Sequence, residues 1–189
     1  SACGLEAPAV FNSKKDPCKA LNRLFGPEPP RDATDEETCA SLHEGRICAF
    51  TSFFNQIAME IVNPHDRMRR IGKNPIRIEC VPKGARSRLA LLYLAVPRDN
   101  DSRSLNPAEF RKQAADDLIA VARSVCGAVR DYGVSAKKSS GYGAVADALV
   151  GERGIIEIAG LEGCPARFAK FSELVGEAQK LAARIQESA

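Results

Sequence analysis

A glycine- and serine-rich segment from Gly133 to Gly143 holds the residues best suited to binding an anionic ligand. Its glycines let the backbone approach a ligand, and its N–H groups, hydroxyls and two ammonium groups suit a phosphate. It is not a P-loop, because the G-x-x-x-x-G-K-[ST] pattern is absent. A flexible surface loop is the alternative interpretation. The candidate binding residues are Lys137, Lys138, Ser139, Ser140, Gly141, Tyr142 and Gly143, and the Tyr142 ring could stack on a base or simply pack.

A basic loop from Asn63 to Pro75 is the second candidate. Its cationic side chains could clamp a phosphate backbone, and a solvated surface loop is the alternative. The residues concerned are His65, Arg67, Arg69, Arg70 and Lys73. His65 and Asp66 also resemble acid–base machinery, but the pattern supplies no nucleophile or third member. We therefore predict no catalytic residue.

The net charge of +3 conceals two oppositely charged segments. Residues 28–44 contain six acidic residues against one arginine, whereas residues 63–88 contain eight lysines and arginines against two acids. The acids from Asp32 to Glu37 could bind a metal, although a solvated loop explains them as well. A local basic patch is what binding to a phosphate backbone requires.

Seven cysteines stand at positions 3, 18, 39, 48, 80, 126 and 164, with no C-x-x-C pair. The odd number, and the apolar surroundings of Cys48, Cys80 and Cys126 in the sequence, predict reduced, mostly buried thiols and a cytoplasmic setting. The first three cysteines could form a zinc site, but without paired spacing we expect no metal and no other cofactor. No apolar run approaches the roughly 20 residues of a membrane span, so no membrane partner is expected.

Alternation of apolar and polar residues predicts several strands. They are expected over residues 46–50, 56–62, 76–80, 88–96, 144–149 and 154–159, and the last two are expected to pair with each other. In the second, Ile57, Met59 and Ile61 alternate with their neighbours, which is typical of a half-buried strand. The Gly-containing turn from Pro82 to Ala85 predicts a hairpin between the third and fourth strands.

Helical spacing of apolar residues predicts helices over 18–25, from Pro107 to about Asp131, and over 166–186. The central helix has Asn106 as its N-cap and Glu109 as the partner in a capping box. Gly133 is expected to supply a left-handed C-cap. Helices packed on an antiparallel sheet give an α+β fold, and the strand–strand–helix–strand order is half of a ferredoxin-like or RRM-like unit.

The order of helix, glycine-rich loop and strand resembles the C-terminal part of the RAMP superfamily. The family pattern runs roughly Gly-apolar-Gly-Ala-Lys-Thr-x-x-Gly-Tyr-Gly-Arg. The chain departs from it at Ser135 and Ala144, where the family has a glycine and often a basic residue. The matching positions are Gly133, Val134, Ala136, Lys137, Gly141, Tyr142 and Gly143.

A second stretch is similar to Cmr-type RAMP subunits, which carry an acidic-apolar strand ending in Pro-His, then Pro-Ile-x-Phe and a Val-Pro-x-Gly turn. The matching segments read MEIVNPH from Met59 and NPIRIECVPKG from Asn74. The likeness is nearest to the subunit that caps the guide RNA at its 3′ end. The two motifs together cover about residues 46–145.

The resemblance implies an RRM-like domain that holds guide RNA (crRNA) by its backbone within a type III CRISPR effector complex. The implied partners are the crRNA, neighbouring RAMP subunits and, through the guide, target RNA. Target cleavage in such complexes uses an Asp in a part of the family fold that we do not find here, so no catalytic residue is carried over. An endoribonuclease of the same superfamily that uses His65 is the rival interpretation, and a scaffold that contacts only protein is a third.

The family's first strand and Gly-Ser-basic helix start are not recognisable in the sequence. Residues 1–189 are therefore expected to form a single RAMP-like domain without its N-terminal portion, with residues 160–189 as a C-terminal helical extension. An unpartnered sheet edge beside apolar side chains would then make the chain poorly soluble or self-associating when alone.

Overall fold

The computed structural model describes residues 17–27, 34, 44–66, 68, 71–72, 74–97, 103–135 and 142–187. These residues form three α-helices and small antiparallel sheets, each of two strands, so the predicted α+β class is confirmed. The chain divides into two compact units. Unit 1 contains residues 1–46 and 95–189, and unit 2 contains residues 47–94. None of the described helices is long and apolar enough to cross a membrane.

Unit 1 contains all three helices, α1 (Pro17–Phe25), α2 (Pro107–Cys126) and α3 (Phe171–Glu187). The predicted capping box of α2 is confirmed, because the Asn106 side chain accepts from the Glu109 N–H at 2.9 Å and the Asn106 N–H donates to the Glu109 carboxylate at 3.1 Å. These contacts satisfy two N–H groups that the first helical turn leaves without partners.

The core of unit 1 lies where α2 packs against α3. Small residues in this core, Ala122 and Ala178, are buried and let the two helices approach closely. A short strand pair, β7 (Gly154–Ile156) and β8 (Ala166–Phe168), adds the Phe168 ring to this cluster. Leu118 and Val125 of α2 are partly buried and pack against the same cluster.

A buried ion cluster joins three parts of unit 1 that are distant in sequence. The Asp117 carboxylate on α2 accepts from the Arg23 Nε of α1 at 3.0 and 3.2 Å and lies 3.3 Å from the Arg46 Nη1. Arg46 and Asp117 are both buried, and the Arg46 guanidinium also stacks 5.0 Å from the centre of the Phe110 ring. Two guanidinium groups thus share one buried carboxylate, and this contact ties α1 and Arg46 to α2.

The C-terminal part of unit 1 corrects two predictions. β7 pairs with β8 and not with residues 144–149, which contribute only the isolated bridge between Ala148 and Lys170. The last helix begins at Phe171 and not at Ala166. Its start is set by a carboxylate from outside the helix, because Asp147 accepts from both the N–H and the hydroxyl of Ser172 at 2.9 and 2.8 Å.

Unit 2 is a two-stranded antiparallel ribbon. The chain runs out through β1 (Ile47–Ala49), β2 (Ala58–Val62) and β3 (His65–Asp66) and returns through β4 (Ile71–Gly72), β5 (Ile76–Cys80) and β6 (Leu91–Tyr93). The pairs are nested, since β1 pairs with β6, β2 with β5 and β3 with β4. The predicted hairpin between residues 76–80 and 88–96 is therefore wrong. β5 and β6, on either side of the turn from Pro82 to Ala85, do not pair with each other, because β5 pairs with β2 and β6 pairs with β1. The turn therefore interrupts the returning half of the ribbon and does not reverse the chain.

The apolar side chains of this ribbon are not covered. Met59 and Ile61 lie opposite Glu79 and Arg77 and stay 60% and 66% exposed. None of the described residues of unit 2 is fully buried. The expectation of mostly buried thiols is wrong as well, since Cys48 is exposed and Cys80 and Cys126 are only partly buried. Period-2 alternation predicted the strand correctly, but it carries no information on whether another layer covers the apolar face.

Candidate functional site at the glycine-rich loop

The glycine-rich loop starts directly from the end of α2. The helix continues past Cys126 as six residues of π-helix, Gly127–Tyr132, a wider turn that is frequent at functional sites. Gly133 follows with φ 73° and ψ 160°. The prediction of a left-handed C-cap at Gly133 is wrong. Its φ is positive as expected, but its ψ is extended and turns the chain out of the helix. This combination of angles is essentially restricted to glycine.

The two ends of the loop meet in a narrow neck. The Val134 N–H donates to the Gly143 carbonyl at 3.0 Å, and Gly143 has φ 79°. A Cβ at Gly143 would lie 2.5 Å from the Ser135 Cβ, and one at Gly133 would lie 3.0 Å from the Gly143 oxygen. Both glycines are thus required for the chain to close on itself, and eight residues are held between Val134 and Gly143.

An ion pair holds the chain on both sides of the neck. The Arg130 Nε in the π-helical turn lies 3.3 Å from the Asp147 carboxylate, which follows the loop. Hydrogen bonds from Ser172, followed by the charge of Arg130, hold the pKa of Asp147 below its usual value. A hydrogen bond with Cys126, followed by the charge of Asp147, raises the pKa of Arg130. Asp147 therefore anchors the loop and the start of α3 at once. Sequence reasoning missed this role, because the contacts are tertiary.

The predicted binding residues are placed only in part. Tyr142 is half-buried beside the neck, and Gly143 forms the neck itself. The residues Lys137, Lys138, Ser139, Ser140 and Gly141 lie outside the described residues. The sequence between the two neck glycines nevertheless defines the chemistry of the loop, because two lysines and three serines lie within ten residues of the end of the π-helical turn.

The basic loop lies in unit 2, so the two candidate segments belong to different units. β3 pairs with β4, with His65 opposite Gly72 and Asp66 opposite Ile71. The connection between them therefore has four residues, of which Met68 is described and almost fully exposed. Of the remaining candidates, His65 is described by its backbone alone, and Arg67, Arg69, Arg70 and Lys73 lie outside the described residues.

The described part of the chain contains no candidate metal site. No group of three or more histidine, cysteine or acidic side chains comes together there. Cys48, Cys80, Cys126 and Cys164 form no disulfide bond. A zinc site at the first three cysteines would fall outside the described side chains.

No protein-family model, no curated protein and no solved structure matches the chain.

Gly143 offers a direct test of the neck. We expect Gly143→Ala to open the loop, because the added Cβ meets Ser135 and the residue has a positive φ. The affinity for RNA that the sequence predicts for this loop should fall further than thermal stability, which binding titrations and thermal melts would measure side by side. Gly84→Ala is the matched control, since Gly84 has φ 89° but nothing within 4 Å of the new Cβ. Equal losses of affinity and stability in Gly143→Ala would instead make the neck a purely structural feature.

Proposed function

We propose that this chain is a crRNA-binding RAMP subunit of a type III CRISPR effector complex and acts without catalysis of its own. The observation that carries the proposal is the closed neck at the end of α2. The sequence between the two glycines of this neck, Gly133 and Gly143, contains two lysines and three serines. The N–H groups, hydroxyls and ammonium groups of this segment suit a phosphate, and the neck fixes the two points at which the segment leaves and rejoins the fold.

The proposed binding is directed at the RNA backbone. Phosphate contacts carry no sequence information, so a subunit that uses them accepts any guide sequence. The basic loop around the β3–β4 connection would add further phosphate contacts through Arg67, Arg69, Arg70 and Lys73. Neighbouring RAMP subunits would complete the assembly, and target RNA would be bound through its pairing with the guide.

The rival function, RNA cleavage with His65, has a clear test. Purified protein would be incubated with labelled CRISPR repeat RNA, and both complex formation and RNA length would be followed. We expect the RNA to be bound and to stay intact in the wild type and in His65→Ala alike. His43→Ala is the matched control, because His43 is the second of the two histidines of the chain. If the wild type and His43→Ala cleave the RNA and His65→Ala does not, the chain is an endoribonuclease and the proposal is wrong.

A further inference from the structure

Three exposed phenylalanines lie in the segment of unit 2 that connects β1 to β2. Phe50, Phe53 and Phe54 are 56%, 81% and 46% exposed. Each leaves a large aromatic surface in water, which is costly unless a partner covers it. None of the three belongs to the glycine-rich or the basic loop.

Two arginines, Arg86 and Arg88, lie across the ribbon from this segment and contact it through their backbones. The Phe50 N–H donates to the Ala90 carbonyl at 3.1 Å, and the Ser52 hydroxyl donates to the Arg88 carbonyl at 2.8 Å. The Asn55 N–H donates to the Arg86 carbonyl at 3.0 Å, while the Arg86 N–H donates to the Asn55 side chain at 2.6 Å. The residues on either side of Phe53 and Phe54 thus donate to the backbone carbonyls of Arg88 and Arg86. Both arginine side chains are exposed.

The charge of this part of the ribbon has one sign. Residues 50–57 and 81–92 contain Lys83, Arg86 and Arg88 and no acidic residue. Neighbouring strands lie about 5 Å apart, so a long arginine side chain reaches ligands on the opposite strand. Exposed aromatic rings with cations beside them are the combination that binds single-stranded nucleic acid, in which bases stack on the rings and phosphates meet the cations.

We propose that this aromatic–basic platform, formed by Phe53, Phe54, Arg86 and Arg88, binds single-stranded RNA. Bases stack on the two phenylalanines, and the phosphates beside them contact the two arginines. The inference rests on the proposed function in that the ligand is the guide RNA. It adds a second contact surface, in unit 2. Because every base has a flat π-face that can stack on a phenylalanine ring, this surface accepts any sequence.

Two ligands separate stacking from charge. One is a single-stranded oligouridine, and the other is a sugar–phosphate oligomer of equal length without bases. We expect Phe53→Ala with Phe54→Ala to weaken oligouridine binding by about tenfold or more, with no change for the baseless oligomer. Arg86→Gln with Arg88→Gln should lower the slope of log affinity against log salt by roughly 0.7 per contact for both ligands. Phe25→Ala is the matched control, because that phenylalanine of α1 is 65% exposed in unit 1.

A leucine variant separates RNA from a protein partner on the same surface. Phe53→Leu with Phe54→Leu keeps apolar area but removes both rings, so RNA binding should stay weak. The inference is overturned if the leucine or alanine pair binds oligouridine like the wild type. It is also overturned if the alanine pair abolishes self-association in sedimentation and leaves RNA binding unchanged. If Lys137→Ala with Lys138→Ala loses RNA affinity while the phenylalanine variants do not, the proposed function survives without the platform. A wild-type chain that binds neither oligomer defeats both.

Discussion

Lys137→Ala with Lys138→Ala is expected to remove about two phosphate contacts from the glycine-rich loop. For single-stranded RNA, each contact contributes roughly 0.7 to the slope of log affinity against log salt, so the slope should fall by about 1.4. If wild type and variant converge near 1 M salt, the affinity at 0.1 M salt is about 25-fold lower in the variant. Titrations of labelled guide RNA at several salt concentrations measure both quantities.

The control for this loop variant must remove the same charge elsewhere. Lys112→Ala with Lys180→Ala does so on exposed positions of α2 and α3, and Lys180 is paired there with Glu177 at 2.6 Å. We expect the control to retain the wild-type slope. A loop variant that binds guide RNA with an unchanged slope would show that the phosphates are contacted elsewhere on the chain.

Asp117→Asn should cause a large loss of stability, because the substitution removes the anion from the buried ion cluster of unit 1. It takes away the carboxylate that the guanidinium groups of Arg23 and Arg46 share. Removing one partner of a buried ion pair typically costs about 3–5 kcal/mol in the free energy of unfolding. Denaturant titrations followed by circular dichroism would measure this loss as a lower midpoint.

The neighbouring residue on the same helix supplies the control. The Asp116 side chain is exposed, and desolvation by the groups around it, partly offset by the nearby Lys112, raises the pKa of its carboxyl. Asp116→Asn removes the same charge without leaving a buried cation, so its stability should remain within about 0.5 kcal/mol of the wild type. Equal losses in both variants would mean that the helix, and not the buried cluster, depends on the charge.

The helices could be predicted from sequence because their signals are local. The capping box of Asn106 and Glu109 and the apolar spacing after it fixed the start and type of α2. Strand positions were also predicted where alternation was clear, as in β2 and β5. Strand pairing was not, because the nested register depends on contacts between residues 47–66 and 71–93 that no short window contains. The start of α3 was missed for the same reason, since its cap comes from Asp147.

The residues of the candidate site could be predicted from sequence, but their geometry could not. The glycines and lysines of the loop identified it, but the need for Gly143 became clear only when Ser135 was found against it. The buried cluster around Asp117 and the platform around Phe53 gave no sequence signal of their own. An isolated arginine or phenylalanine is compatible with burial, exposure or binding, and only the fold decides which.

The most direct test of the proposed function is the affinity of the full chain for guide RNA as salt is varied. Two single-stranded RNAs of equal length and composition, one carrying a guide sequence and one with that sequence permuted, would be titrated at salt concentrations from about 0.05 to 0.5 M. We predict equal affinities for the two RNAs and a steep, shared fall of log affinity with log salt. Binding that does not change with salt, or that requires one of the two sequences, would contradict the proposed function.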